Sequence, residues 1–260
     1  MKNEKALLAV SFGTSHDDTR ALTIDAFEKD LREAFPDRTF YRAWTSGVIR
    51  RILRERDGLI IDSVSLAMER MLEDGIKDVL VQPSHILTGE EYEKVTSAVE
   101  KYKARFEKIS VGLPLISCED DAVRVAGILG DAFNFLKDDE MLVLMGHGAA
   151  RCDFPAYEIL QKTFREKGCK NVAIGTVEFD PGIAPVLECV KDLKPSKVYL
   201  TPLLIVAGDH AKNDMAGNEP DSWKNTIKGL GPDVEVVLRG LCEYAPVREM
   251  FVEHAKAALR

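Results

Sequence analysis

The sequence predicts an α/β protein made of two similar halves, each with a four-stranded parallel sheet flanked by helices, and a cleft between the halves. Short apolar runs alternate with longer amphipathic stretches along all 260 residues. This alternation is typical of β-α units that feed a parallel sheet. Four runs fall in each half, at residues 6–11, 39–42, 78–82 and 109–113, and then at 142–145, 171–176, 197–201 and 234–238.

The second observation behind this fold class is that the halves resemble each other. The segment ALLAVSFGTS opens the first half and MLVLMGHGAA opens its counterpart, which aligns Phe12 with His147. Further along, VQPSHILTGEEY lies over LTPLLIVAGDHA and aligns Glu91 with His210. If the halves pack about a pseudo-twofold axis, the loops at the carboxyl ends of both sheets face one cleft, where open α/β sheets usually bind ligands.

The same alternation sets the expected domain boundaries. We expect an N-terminal α/β half over residues 1–120, a connecting helix within 121–139, a C-terminal α/β half over 140–244 and a C-terminal helix over 245–260. The C-terminal half carries the candidate metal ligands. Either helix could pack on the opposite half and lock the two together, and the sequence leaves that open.

Composition and charge favour a small-molecule partner. The formal net charge is -8 and the pI is about 5.3, which argues against a nucleic-acid-binding or anionic membrane surface. The apolar run in the first ten residues is too short for a signal peptide or a membrane span, so we expect a cytoplasmic protein. Five scattered cysteines without a CxxC pair are expected to be reduced and to behave as small buried apolar residues.

Two histidines follow strand-like runs in the second half. His147 lies between two glycines directly after the run MLVLM, where a ligand can approach the backbone closely. His210 lies in VAGDHAKND, and we expect a neighbouring acid or amide to orient one ring nitrogen while the other meets a metal. A purely structural role is the alternative for each histidine.

A glutamate completes the candidate site. Glu178 ends another run of the same half, just before a helix that we expect to open at Pro181. Two neutral imidazoles and one carboxylate suit a divalent ion such as Co²⁺, Ni²⁺, Fe²⁺ or Zn²⁺, with coordination positions left open for exchange or catalysis. The ligands come from three separate loops, and no HxxxH or HExxH pattern links them in the sequence. The alternative to a metal-binding role for Glu178 is a solvated side chain.

The remaining histidines and one glutamate need separate interpretations. Glu91 lies among the acids that open a helix, but its alignment with His210 makes it a candidate for the cleft. His85 is either a buried, hydrogen-bonded histidine or part of the cleft wall. His16 and His254 are expected to face solvent.

A basic cluster follows the second apolar run of the first half. Such clusters usually form a solvated helix face, although arginines are also suited to substrate carboxylates. The cluster consists of Arg42, Arg50, Arg51, Arg54 and Arg56.

Several longer motifs carry a family resemblance. They are SFGTS, RAWTSG, the HIL-x-GEEYEK stretch, MGHGA, the VE pair and PLLIVAGDHAKNDMAG with DSWK close behind. With these motifs the chain resembles the class II tetrapyrrole chelatases, and among them the anaerobic cobalt chelatases of the CbiK type, from about Ala6 to Ala258. The resemblance implies a chelatase-like fold of two Rossmann-like halves. It also implies insertion of Co²⁺ into sirohydrochlorin, with release of two protons, in anaerobic cobalamin biosynthesis.

The resemblance also implies roles for individual residues. The family's metal ligands carry over to His147, Glu178 and His210, and its cleft glutamate to Glu91. We expect His147 to accept protons and Glu91 to assist, with Co²⁺ as the substrate metal and no organic cofactor. Sirohydrochlorin is the expected partner, without nucleic acid or membrane, and a homo-oligomer would account for some apolar residues at the surface.

Two other functions remain open at this stage. A chelatase for another ion or ring, such as an iron or nickel sirohydrochlorin chelatase or a ferrochelatase, would use the same ligand types. A non-catalytic carrier of metal or tetrapyrrole would bind both ligands without turnover.

Overall fold

The chain folds into two compact units in the computed structural model, which describes residues 3–149 and 155–260. The first unit contains the residues up to Ser117 together with Ala245–Arg260, and the second contains Cys118–Tyr244. Cys152 lies outside the described residues. No helix in the described parts is long and apolar enough to cross a membrane.

The first unit is built on a parallel sheet with the order β2-β1-β3-β4. Its strands are β1 (Lys5–Ser11), β2 (Thr39–Trp44), β3 (Asp78–Pro83) and β4 (Lys108–Val111). Its helices are α1 (Asp17–Leu22), α2 (Ile24–Ala34), α3 (Gly47–Asp57), α4 (Val64–Glu73), α5 (Glu90–Glu100) and the last helix of the chain, α10 (Ala245–Ala258).

The second unit repeats this arrangement with the parallel order β6-β5-β7-β8. Its strands are β5 (Glu140–Gly146), β6 (Val172–Thr176), β7 (Lys197–Leu203) and β8 (Asp233–Val236). Its helices are α6 (Glu119–Ala132), α7 (Ala156–Glu166), α8 (Ala184–Leu193) and α9 (Trp223–Lys228), with a π-helical turn at Ala211–Met215. All eight predicted strands are present, with bounds that differ by a few residues.

The register of the sheets repeats between the units. Val10 of β1 pairs with Pro83 of β3, and Met145 of β5 pairs with Pro202 of β7. Phe12 and His147 each lie two residues beyond these pairs, at the carboxyl ends of central strands. His147 therefore occupies the position in the second unit that corresponds to the apolar residue Phe12 in the first unit.

Each sheet is covered on both faces, which explains the near-continuous apolar runs of its central strands. Every residue of β5 is buried, and so is every residue of β1 after Lys5. Helices α4 and α5 pack on one face of the first sheet, and Val186, Val190 and Trp223 pack on the second sheet. This burial fixes the strand ends from which the candidate site residues project.

The last helix returns to the first unit. Helix α10 packs against α2, β3 and β4, with Arg248 Nε 2.6 Å from Asp30 Oδ2 and the ring of Phe251 edge-on to that of Phe27. Helix α6, in contrast, packs on α7 of the second unit. The chain thus passes from the first unit to the second and back again, an arrangement that the sequence left open.

Three local expectations were wrong. The helix after Glu178 begins at Ala184 rather than at Pro181, because residues 177–183 form a loop. His16 and His254 are half-buried rather than facing solvent. Among the described cysteines, Cys118 is exposed and Cys169 and Cys189 are half-buried, so that Cys242 alone is buried as expected.

Candidate metal centre

Three side chains of the second unit converge at the carboxyl edge of its sheet. His147 follows β5 directly, Glu178 comes two residues after β6, and His210 lies at the start of the π-helical turn that follows β7. Strands β6, β5 and β7 are neighbours in the sheet and end at the same edge, since Gly146 pairs with both Thr176 and Leu203. The strand order therefore brings together residues that are distant in sequence.

The distances between these side chains suit a metal ion. One ligand atom from each residue lies within 4.8 Å of the other two. His147 Nε2 is 3.8 Å from Glu178 Oε2, and His210 Nε2 is 3.8 Å from Glu178 Oε1. Two atoms that bind one transition ion at about 2.1 Å can be at most about 4.2 Å apart. The centroids of the two imidazoles are 5.1 Å apart. A small rotation of these rings would bring the three ligand atoms within bonding distance of one ion.

Hydrogen bonds behind the histidines fix which ring nitrogens face the carboxylate. His147 Nδ1 lies 3.1 Å from the carbonyl oxygen of Gly148, and His210 Nδ1 lies 2.8 Å from Asp214 Oδ2. Both of these oxygens only accept hydrogen bonds, so in the neutral rings both Nδ1 atoms carry the proton. In the neutral rings, the Nε2 atoms, which lie toward Glu178, are then the nitrogens that keep a lone pair for a metal. Asp214 is the acid that the sequence expected beside His210.

The three ligand candidates remain open to solvent. Their side chains are 43% (His147), 49% (Glu178) and 34% (His210) exposed. A closed structural metal site would shield its ligands, whereas a site that exchanges its ion or binds a further ligand must leave coordination positions accessible. The exposure thus fits exchange better than permanent storage.

Gly148 allows the loops of His147 and Glu178 to touch. The backbone N–H of Glu178 donates to the carbonyl oxygen of His147 over 2.8 Å. Gly148 has φ +90°, and a Cβ atom at this position would overlap the carbonyl oxygen of Glu178. Only glycine combines this backbone conformation with such a close approach.

Thr176 holds the loop that carries Glu178. Its buried hydroxyl donates to the carbonyl oxygen of Phe179 over 2.9 Å and accepts from the N–H of Gly182 over 3.0 Å. Phe179 has φ +62°, which is uncommon for a residue with a side chain. These bonds close the loop into a compact turn and so fix the direction of the carboxylate.

Tyr157 supports the loop of His147 from α7. Its hydroxyl accepts a hydrogen bond from the N–H of Gly148 over 3.2 Å, and its ring packs against Gly146, where a Cβ atom would come within 2.6 Å. Neither Tyr157 nor Thr176 is predicted from the sequence to support the site. Neither lies in a recognisable motif, and both act through contacts that the chain makes only after folding.

Glu91 belongs to the first unit and has its own neighbours. It lies in the first turn of α5, where Thr45 Oγ1 donates to Glu91 Oε2 over 3.0 Å and Lys94 forms an ion pair with Oε1. Its side chain is 35% exposed. Thr45 follows β2, so Glu91 is held at the carboxyl edge of the first sheet.

Neither of the two interpretations drawn from the sequence fully describes His85. It is only 8% exposed, yet neither ring nitrogen has a hydrogen-bond partner in the described residues. Burial of the ring lowers the pKa of His85 to about 4, because desolvation disfavours the charged form. His85 is therefore neutral at neutral pH.

Comparison with known proteins places this chain in a family. The family model described as "Cobalt chelatase (CbiK)" matches residues 5–260. The chain belongs to this cobalt chelatase family. The family resemblance inferred from the motifs is thereby confirmed.

Two curated relatives cover nearly the whole chain. The "Sirohydrochlorin cobaltochelatase" of Salmonella typhimurium is 40% identical over 256 residues, which span 98% of this chain and 97% of the relative. The "Sirohydrochlorin cobaltochelatase CbiKC" of Nitratidesulfovibrio vulgaris is 32% identical, over 98% of this chain and 91% of that protein.

Solved structures share the fold at low sequence identity. SirB from Bacillus subtilis, solved with Fe³⁺, superposes with a TM-score of 0.68 at 17% identity, covering 98% of this chain and 95% of SirB. CbiX, described as the terminal enzyme of siroheme biosynthesis in denitrifying bacteria, superposes with a TM-score of 0.57 at 18% identity. The match covers 98% of this chain and 100% of CbiX. The predicted fold of two Rossmann-like, four-stranded units is confirmed. The metal-binding role of His147, Glu178 and His210 and the catalytic role of Glu91 stay predictions.

Proposed function

We propose that this protein is a sirohydrochlorin cobaltochelatase, which inserts Co²⁺ into the tetrapyrrole and releases two protons. Membership in the cobalt chelatase family and the names of both relatives support this substrate pair. The observation that carries the proposal is the pair of imidazole Nε2 atoms that face one carboxylate at 3.8 Å each. This arrangement brings three electron-pair donors together, so that one divalent ion can bind all of them.

His147, Glu178 and His210 hold the incoming ion in this proposal. Two imidazoles and a carboxylate bind Co²⁺ but leave at least one position free in a tetrahedral site and more in an octahedral one. The pyrrole nitrogens replace the protein ligands one by one as the ion moves into the ring. Because the three side chains are a third to a half exposed, a planar ring can approach them.

Insertion also requires a base, because two pyrrole N–H groups must lose their protons. We assign the first proton to His147 Nε2, whose lone pair is released when the ion leaves it. His147 can then pass that proton to water, since its side chain is 43% exposed. Glu91 assists as a second acceptor in the first unit. Cobalt is the substrate metal, no organic cofactor takes part, and the reaction runs in the cytoplasm on the anaerobic route to cobalamin.

The proposal is tested by mixing the purified protein anaerobically with sirohydrochlorin and Co²⁺ and following the absorbance change of metallation. We expect many product molecules per protein molecule, at a rate well above a protein-free control. A single product per protein molecule would instead identify a carrier. Parallel reactions with Ni²⁺ and Fe²⁺ rank the three ions by kcat/KM. If either ion gave a higher kcat/KM than Co²⁺, that ion would be the substrate metal instead of cobalt.

Asp214 is expected to increase the metal affinity of His210. Its carboxylate accepts the Nδ1 proton of His210 at 2.8 Å, which makes the ring a better donor and fixes its direction. Loss of such an outer partner typically weakens metal binding about 10- to 100-fold. We therefore expect Asp214→Asn to raise the Co²⁺ dissociation constant by that factor in a calorimetric titration.

The matched control for this change is Asp221→Asn. Asp221 is an exposed acid in the loop before α9, so its replacement removes the same charge from the same unit. Equal Co²⁺ affinities for the two variants would show that Asp214 does not act through His210.

A further inference from the structure

The DSWK motif, which carries part of the family resemblance, opens helix α9 of the second unit. Ser222 is the N-cap of this helix, and its hydroxyl accepts a hydrogen bond from the N–H of Asn225 over 3.3 Å. Such a cap fixes where the helix begins and therefore which way its first side chains point. The first two side chains, those of Trp223 and Lys224, both contact the π-helical turn that begins after His210 or the residue that ends it.

Trp223 anchors the start of α9 against the buried side of the π-helical turn. It is 5% exposed and packs in one apolar cluster with Ala211 and Met215 of the turn. On the side of the sheet, a Cβ atom built on Gly175 of β6 would come within 2.9 Å of Trp223 Cη2. The tryptophan therefore fills the space between β6 and the turn, and it holds α9 at a fixed place beside that turn.

Lys224 uses its ammonium group on neutral oxygens at the end of the turn. Its Nζ atom donates to the carbonyl oxygen of Ala216 over 2.8 Å and to Asn218 Oδ1 over 3.2 Å. An ammonium group has three N–H donors, so two of the three are used on one short segment. Because Lys224 is also half-buried, it supports this segment rather than a ligand in solvent.

Ala216 ends the turn that carries Asp214 and begins after His210. The N–H of Ala216 donates to the carbonyl oxygen of Ala211 over 3.2 Å, which closes the turn. The carbonyl groups at the end of a helix have no partner within it, and a lysine side chain can supply one, as Lys224 does here. A helical segment of five residues is too short to be stable by itself, so the turn depends on such contacts.

The segment after the turn is held by the same helix. Asn225 Nδ2 donates to the carbonyl oxygens of Asn218 and Glu219, over 3.0 and 2.8 Å. Lys224 thus holds the end of the turn itself, whereas Asn225 holds the loop beyond it. Removal of the lysine side chain is therefore expected to loosen the turn and to leave the loop in place.

We propose that Lys224 is a positioning residue of the metal centre, which keeps the π-helical turn closed so that Asp214 orients His210 toward the ion. The contact that links the two is the distance of 2.8 Å between Asp214 Oδ2 and His210 Nδ1, which lie on either side of the turn's first residues. If the end of the turn opens, Asp214 moves relative to His210, and the imidazole loses its preferred direction. Lys224 acts only through this pair and binds neither the ion nor the tetrapyrrole. The assignment rests on the proposed function, because it concerns the same site.

Calorimetric Co²⁺ titrations of the tetrapyrrole-free protein test this proposal. We expect Lys224→Met to raise the Co²⁺ dissociation constant about 10-fold, the lower end of the range for lost outer partners of a metal ligand. Lys224→Arg should recover most of the affinity, because a guanidinium also donates to carbonyl oxygens at a helix end. Lys228→Met is the matched control. Lys228 is exposed in the last turn of the same helix, and its replacement should leave the Co²⁺ affinity unchanged.

A double-mutant cycle with Asp214→Asn shows whether the lysine acts through Asp214. In the Asp214→Asn background the contact with His210 is already weakened, so Lys224→Met should change the Co²⁺ affinity by less than about twofold. A purely structural role of Lys224 would instead weaken Co²⁺ binding by the same factor in both backgrounds.

The outcomes separate this assignment from the proposed function. Equal Co²⁺ affinities of Lys224→Met and Lys228→Met, or equal losses in the two backgrounds, would overturn the role of Lys224, and turnover by the wild type would still support the proposed function. Coupled losses, found together with a wild type that does not accelerate metallation, would reject the chelatase activity and keep Lys224 as a support of the metal site. If Lys224→Met does not fold, Lys224→Gln takes its place in the cycle, and the same two results decide.

Discussion

Replacing His147 or His210 by alanine is expected to lower the rate of cobalt insertion at least about 100-fold. Each change removes one of two nitrogen donors from a site of three ligands, and loss of an outer-shell partner alone typically costs about 10- to 100-fold. His147→Ala also removes the proposed proton acceptor. The measurement is the initial rate of anaerobic metallation at saturating sirohydrochlorin, over a range of Co²⁺ concentrations.

His254→Gln serves as the control for this comparison. His254 lies on α10 of the first unit, and its replacement is expected to leave the rate within about twofold of the wild type. Rates for His147→Ala and His210→Ala close to that of His254→Gln would remove the site assignment and leave the fold untouched.

Gly148→Ala is expected to reduce both stability and activity. The added methyl group would overlap the carbonyl oxygen of Glu178 at a backbone φ of +90°. Left-handed strain and overpacking each cost about 1–3 kcal/mol, so we expect a loss of roughly 3 kcal/mol in the free energy of unfolding. The loop of Glu178 must also move, which displaces the carboxylate from both Nε2 atoms and should lower the metallation rate.

Gly168→Ala separates backbone strain from the steric overlap. Gly168 has a similar φ of +85°, but nothing lies within 4 Å of a Cβ atom at that position. Chemical denaturation of this variant should show a smaller loss of stability, about 1 kcal/mol, with normal activity. If Gly148→Ala behaves like Gly168→Ala in both assays, the close contact with Glu178 has no functional importance.

The sequence predicted the strands well because buried parallel strands leave continuous apolar runs. The central strands β1 and β5 are covered on both faces, so their apolar runs contain no polar interruptions. The edge strands β4 and β8 are short, with four residues each, and both end before the predicted position. The prediction of a helix beginning at Pro181 was wrong because hydrogen bonds to Thr176 hold that segment in a loop.

The sequence placed His147, Glu178 and His210 at strand ends, but it could not show that their side chains meet. That convergence depends on the strand order β6-β5-β7, which no local sequence pattern indicates. The same limit applies to the arginines. Only the folded structure distinguishes Arg42, which compensates a buried glutamate, from Arg50, whose Nε has no acceptor among the described residues.

X-ray absorption at the cobalt edge of the Co²⁺-loaded protein, without tetrapyrrole, tests whether His147, Glu178 and His210 bind the ion. We expect scattering from two imidazole rings and at least one oxygen ligand in the wild type. We expect one imidazole in His147→Ala and in His210→Ala, and two in His254→Gln. A wild-type spectrum without imidazole scattering, or one that neither alanine variant changes, would contradict the assignment of this centre.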